Sequence, residues 1–336
     1  MSKNKKIEMN FIVKLFIIIL SFTLIPLPLF SDQLKAQNLV YRGNQMLQNK
    51  KYLQAIQYYT EAIQIKNDYY QAYLNRAIAY MRSGKSKEAL EDYSTVIKLL
   101  PNNLNAYYNR AVAYFSLKQF QPASEDFTKA IQLLTDKSDK VFLSALYQNR
   151  GICYYYLNQH EKGINDFNES SKLTPKAPQI YIYRGILYGK LKNYIRAIEE
   201  YKKGIELSPT EAINYFNLGI IYSYTKDYQN ALIQFTKYIE LKPKDPNGFF
   251  NRGLTNHAMK KYLEAEKDYL SALEHSSKGA KIYYFLADVY IRLKDYKKSL
   301  STCEKGISYD PKSSLLINKQ GEAYKFLKQF DLAISS

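Results

Sequence analysis

Apolar and small residues keep to one helical face along most of this chain. Within residues 70–101, Tyr70, Tyr73, Leu74, Ala77, Ile78 and Tyr80 follow helical spacing, and Ser83-Gly84-Lys85 interrupts it. Ala89, Tyr93 and Val96 then supply a second apolar face that Pro101 stops. Gly84 suits a helix C-terminus where φ turns positive, Ser86 is placed for an N-cap, and Glu88 falls where the helix dipole favours an anion. The pattern predicts a hairpin of two helices of about fourteen residues each.

One register mark repeats every 34 positions: Gly43, Ala77, Ala111, then Gly151, Gly185, Gly219, Gly253, Ala287 and Gly321. Six extra residues, around Thr135–Lys140, break the count between Ala111 and Gly151. A period of this length means one supersecondary unit copied and stacked, each copy burying its face against its neighbours. The expected architecture is an all-α solenoid of about nine hairpins, with 37–135 forming repeats one to three and 142–336 repeats four to nine. The insertion at 136–141 is the expected place for a hinge. Function then belongs to a continuous surface rather than to one cleft.

The positions carry a further signature. A leading ring recurs as Tyr73, Tyr107, Tyr147, Tyr181, Tyr215, Phe249 and Tyr283, and a small residue in the second helix as Ala55, Ala89, Ala123, Gly163, Ala197, Ala231 and Ala265. Its following ring is Tyr59, Tyr93, Phe127, Phe167, Tyr201, Phe235 or Tyr269, and Pro101, Pro175, Pro209, Pro243 and Pro311 end repeats. Small residues let paired backbones approach while rings fill the flanking holes. This pattern, over residues 37–336, resembles the tetratricopeptide repeat. Local departures are Leu39 and Met46 where rings are usual, Asn256 and Cys303 in place of rings, and Asn67, Thr135 and Ser277 in place of proline. The chain stops at Ser336, within the second helix of the ninth repeat, without the polar capping helix such arrays usually have.

The resemblance implies a right-handed superhelix whose first helices line a concave, peptide-binding groove. At the groove-facing position of the family, two residues before the small one, stand Asn75, Asn109, Asn149, Asn217 and Asn251, with Tyr183 and Phe285 there in the fifth and eighth repeats. An Asn amide donates to a backbone carbonyl and accepts from a backbone N–H, so such a ladder reads main chain. Helices about 10 Å apart match roughly three residues of extended chain. Apolar neighbours such as Phe216, Ile220, Phe250 and Leu254 suggest a partner with hydrophobic side chains. Of the lysine, asparagine and arginine clamp that the family's chaperone-binding subset carries for acidic carboxy-termini, Asn44 and Asn75 match two members, but Val40, Asn105 and Asn109 occupy the cationic places, so binding of that kind is not expected. The Arg that follows this position in many repeats (Arg42, Arg76, Arg110, Arg150, Arg184, Arg252) is expected to pair with acids on adjacent helices rather than with ligand.

Composition adds three points. The charge is +17, from 48 Lys+Arg against 31 Asp+Glu, and many lysines fall in the turns joining paired helices. That leaves a polyanion, nucleic acid or an anionic envelope polymer, as an alternative partner, against a solvated rim. Residues 1–31 lie outside the repeat: Lys3, Lys5 and Lys6 precede the apolar run Leu15–Leu20, and Pro26 and Pro28 follow, as in a secretory signal peptide. The segment is expected either to be removed on export or to remain as an anchor over 11–30. Cys153 and Cys303 lie four repeats apart at apolar positions and read as buried free thiols.

His160, His257 and His275 share no register and no metal-ligand spacing, and no phosphate loop or nucleophile motif is present. The expectation is a non-enzymatic, cofactor-free, exported scaffold that binds an extended or helical peptide segment of another protein. Self-association through the ninth repeat is a further possibility, and a membrane contact is expected only through a retained N-terminal segment.

Overall fold

The computed structural model describes residues 27–276 and 279–327. They form seventeen α-helices, with no strand among the described residues, in two compact units that divide between Asn158 and Gln159. The first unit holds α1 (Leu27–Gln48), α2 (Tyr52–Ile65), α3 (Tyr70–Arg82), α4 (Ser86–Leu99), α5 (Leu104–Ser116), α6 (Phe120–Leu133) and α7 (Lys140–Tyr156). The second holds α8 (His160–Leu173), α9 (Pro178–Lys190), α10 (Tyr194–Leu207), α11 (Ala212–Tyr224) and α12 (Tyr228–Leu241). It continues with α13 (Pro246–Ala258), α14 (Tyr262–Glu274), α15 (Ala280–Arg292), α16 (Tyr296–Tyr309) and α17 (Ser314–Phe326). Odd-numbered helices are first helices of repeats and even-numbered ones second helices. Each unit is thus a stretch of helix-hairpin solenoid.

The turn inside a hairpin is a Schellman ending. In the fifth repeat Asn193 N–H donates to the Tyr188 carbonyl at 2.9 Å and Lys192 N–H to that of Gly189 at 3.0 Å. The residue at the left-handed position is Gly84 once, at φ +81°, and otherwise Lys50, Lys118, Asn158, Lys192, Lys226, Lys260 or Lys294, at φ of 57 to 62°. Ser86 is the first helical residue of α4 rather than its cap, which is Lys85, and its hydroxyl instead accepts from Ser116 Oγ at 2.9 Å.

Inside the first, fifth, sixth and seventh hairpins the second helix lays a ring on the glycine of the first, Gly43, Gly185, Gly219 or Gly253. A Cβ added to Gly219 would lie 2.7 Å from Phe235, and one on Gly253 2.7 Å from Tyr269, closer than any Cβ sits to a ring atom. Between hairpins a different pair trades volume across the junction. Ala130 meets Leu146 and Ala272 meets Ile282, whereas Gly306 accommodates Leu316 and Gly248 accommodates Tyr238. At the junction of α10 and α11, Gly204 faces Asn214, which is fully buried with neither amide atom hydrogen-bonded.

Two boundaries differ from expectation. Helix α1 begins at Leu27, so residues 27–31, assigned to the leader, are helical, and the helix packs from Gln33 and Ala36 onward. Ala36 is fully buried, and Gln33 Oε1 accepts from Lys66 Nζ at the end of α2, so apolar contact and a polar tie extend the first repeat backwards. The remainder of the expected leader, 1–26, lies outside the described residues, as does 328–336, where the second helix of the ninth repeat is expected. The six extra residues lengthen the connection before α7 and α7 itself, which has 17 residues where every other first helix after α1 has 13. The insertion at 136–141 therefore falls inside the first unit.

Candidate functional site

First helices touch the first helices of the next repeat: α1·α3 and α3·α5 in the first unit, α9·α11, α11·α13, α13·α15 and α15·α17 in the second. Within each unit they make a shared face, and the ladder register lies on it. What the neighbouring arginine does separates scaffold from site. Arg76 donates to Asp92 through Nε and Nη2, both at 2.8 Å, and through Nη1 to Thr60 Oγ1 at 3.0 Å. Its guanidinium also sits 5.5 Å from the Tyr73 ring and 5.9 Å from Tyr80. One arginine on α3 therefore ties α4 of its own repeat to α2 of the previous one.

The staple repeats. Arg110 joins Asp126 and Ser94, Arg184 joins Glu200 and Asn168, and Arg252 joins Asp268 and Thr236. Burial pushes the Asp92 carboxyl upward despite the pull of Arg76. Where the arginine is lost the acid goes too: Leu218 stands opposite Gln234 and Leu286 opposite Thr302. Arg76, Arg110, Arg184 and Arg252, as expected, pair with acids and so serve the stack, whereas Arg42 is exposed and has Tyr58 in the acid's place.

The ladder residues have divergent fates. Asn75 donates to Asn44 Oδ1 at 2.9 Å, which also accepts from Tyr59 Oη at 2.7 Å. Asn109 and Asn251 each donate to a carbonyl one turn back in their own helix, that of Asn105 and that of Asn247, both at 2.8 Å. The Asn217 amide nitrogen is buried with no hydrogen-bond partner. Asn149 is half-buried on α7. Tyr183 stacks on Phe167 with centroids 5.7 Å apart, and Phe285 packs on Phe250 and Tyr269 at 5.8 and 6.2 Å. The amide of Asn75 is thus already held, the two aromatic positions pack against neighbouring rings, and the amides of Asn109 and Asn251 hold only bonds within their own helices.

The ninth repeat places Lys319 at the ladder register, a residue the sequence reading did not single out. Lys319 Nζ donates to Asp288 Oδ1 and to Glu322 Oε2, both at 2.7 Å, and lies 5.3 Å from the Tyr284 ring. Asp288 also meets His257 Nε2 at 3.1 Å and Arg292 Nε at 3.5 Å. Burial opposes the charge of Asp288, but these partners hold its carboxyl well below the usual range. The network joins α13, α15 and α17. Its geometry matches Asn75–Asn44: a ladder side chain reaches the residue just after the small one in the preceding repeat. Elsewhere that acceptor position is apolar (Ile78, Ile186, Ile220, Leu254), which is why other ladder amides are not consumed this way.

Between α11 and α13 the face opens into a cleft of about 310 Å³, lined by Ile220, Ser223, Tyr224, Tyr228, Asn251, Leu254, Thr255 and Ala258. Its walls are the apolar residues flanking the ladder, with Asn251 at its edge. Ser223, Tyr228 and Thr255 were not anticipated, since nothing in the 34-residue pattern marks them. Among the described residues no group of His, Cys, Asp or Glu could hold a metal ion, and no helix is long and apolar enough to cross a membrane.

Fold and face define a helical-hairpin repeat scaffold. Models of the tetratricopeptide repeat match residues 46–91, 104–134, 178–211, 212–245 and 280–313, and a TPR repeat model matches 79–118. The chain belongs to the tetratricopeptide repeat family, whose members are protein–protein interaction scaffolds and generally lack enzymatic activity. No curated protein sequence matches it significantly. Among solved structures it is similar to the C-terminal part of a TPR repeat-containing protein from Cytophaga hutchinsonii, with 21% identity and TM-score 0.62 over 73% of this chain and 98% of that one. A tetratricopeptide repeat protein from Parabacteroides merdae gives 18% and 0.56 over 79% and 98%. A chain of the APC/C hetero-tetramer Cut9–Hcn1 gives 15% and 0.53 over 85% and 55%. At these identities the likeness is one of fold.

Proposed function

We propose that the protein is an exported scaffold that holds an extended peptide segment of a partner along its first helices. The observation that carries this reading is the cleft between α11 and α13, where apolar Ile220 and Leu254 lie beside Asn251. An aliphatic or aromatic side chain of the partner fills the cleft. Asn251, released from the Asn247 carbonyl, and Asn217, once its buried and unpartnered amide turns outward, hold the partner's backbone on either side. A main-chain carbonyl accepting from Asn217 removes the penalty of a buried unpaired donor, typically about 1–3 kcal/mol. Export rests on the basic and apolar order of residues 3–25.

The test begins with a photoreactive residue at Leu254 to capture the partner in its native cell. The partner's affinity is then compared between wild type and Asn217→Ala/Asn251→Ala. Loss of two neutral hydrogen bonds weakens binding by about 1–3 kcal/mol. Unchanged affinity removes the ladder from the reading, and a protein found wholly in the cytosol with its first residues intact removes export.

A further inference from the structure

The turns inside the hairpins of the second unit carry a composition that stability does not explain. The left-handed position there suits Gly best and Asn next, because any larger side chain crowds the backbone. The second unit instead has Lys192, Lys226, Lys260 and Lys294 in that conformation, at φ of 58, 61, 60 and 62°. All four side chains are exposed. AT-rich codons would supply Asn as readily as Lys, yet the second unit has no Asn there.

Apolar groups gather on the same edge. The first residue of a second helix stacks on the last turn of the next first helix: Tyr194 on Tyr224, centroids 6.2 Å apart at 6°, and Tyr296 on Phe326, 5.1 Å apart at 9°. The outer rings remain open, with Tyr224 69% and Phe326 49% exposed. Beside the lysines stand Ile195, 74% exposed, and Leu263, 60% exposed, each the second residue of its helix. Asp227 and Asp295 lie on this edge as well, but both accept from backbone N–H groups as helix caps, and Asp295 also pairs with Lys298.

We infer that this edge of the second unit docks on an anionic lipid surface. Exposed lysines approach the headgroups, while Ile195, Leu263 and the outer rings enter the interface, where amphipathic rings and aliphatic groups both gain. The aliphatic members decide against nucleic acid, whose stacking platforms use rings and arginines rather than Ile and Leu. Tyr224 also lines the first-helix cleft, whereas the four lysines, Ile195, Leu263 and Phe326 lie outside it.

The four lysines offer a clean test, because Gly fits their backbone better than Lys does. The full chain and its variant Lys192→Gly/Lys226→Gly/Lys260→Gly/Lys294→Gly are compared by co-sedimentation with phosphatidylglycerol–phosphatidylcholine vesicles and with phosphatidylcholine alone. The variant melts no lower than wild type. Each lysine is worth about fivefold in partitioning to the anionic vesicles, so the variant's anionic-to-neutral ratio falls several hundredfold below that of wild type, and residues 1–26, with four lysines of their own, are common to both proteins and cancel in that comparison. A second variant, Ile195→Ser/Leu263→Ser, keeps the charge and loses the part of binding that survives high salt. The inference is overturned if wild type shows no preference for anionic vesicles, if the glycine variant keeps that preference, or if a single-stranded oligonucleotide is bound in place of vesicles.

Discussion

Removing one arginine staple tests the account of the stack most directly. Arg110 reaches Asp126 at 2.7 Å through Nε and 2.9 Å through Nη2, and Ser94 at 3.1 Å. Its side chain is 19% exposed and that of Asp126 8%. Arg110→Leu strands a nearly buried carboxylate, and breaking such a pair costs about 3–5 kcal/mol; residual exposure trims this to about 2–4. The sixth repeat already uses Leu218 with Gln234 at the corresponding positions, so Arg110→Leu/Asp126→Gln copies a solution the fold accepts. The double variant is expected within about 1 kcal/mol of wild type, since an apolar replacement of a buried pair is often neutral. Replacing Asp126 as well is thus expected to restore about 1–4 kcal/mol, and Asp126→Gln alone completes the cycle. Guanidinium unfolding followed by circular dichroism gives the cycle. Hydrogen exchange on α5 and α6 localises it, as repeat stability is a sum of neighbour terms. A single variant within 0.5 kcal/mol of wild type, or a double variant as unstable as the single, would refute the reasoning.

The junction of α12 and α13 yields a second expectation: Gly248→Leu overpacks Tyr238 and Ile239, at 2.7 and 2.8 Å from a new Cβ, and costs about 1–3 kcal/mol, while adding Tyr238→Ala recovers most of that loss in thermal melts. Asp288 has a depressed folded pKa, so its stabilisation is present above the unfolded value of about 3.9 and is lost as pH falls below it. The gap in melting temperature between wild type and Asp288→Asn should accordingly be widest near pH 6 and narrow toward pH 3; a constant gap would remove the charge from the explanation. Cys303 is fully buried and burial pushes its thiol up to about 12, so maleimide should label it only under denaturing conditions, read by mass spectrometry.

Periodicity is local information, and the sequence holds it completely. Positions that recur every 34 residues place each hairpin, its small residues, its rings and its arginine, because helical spacing and chain connectivity dictate which face each side chain takes. That is why the seventeen helices and the arginine–acid ties were legible before any coordinates, and why α7, beside the only insertion, was expected to differ. What happens across a junction is not local. Whether a ladder side chain is tied to the preceding repeat depends on a residue 31 positions earlier, polar at Asn44 and Asp288 but apolar at Ile78 and Ile220, and on the rotamer that burial leaves open. Lys319, Asp288 and His257 come from three different repeats and share no spacing, so only packing could assemble them. The cleft at Asn251, the volume exchanges at Gly204, Gly248 and Gly306, and the backward reach of α1 were likewise decided by tertiary contact, where the size of one side chain sets the room left for its neighbour.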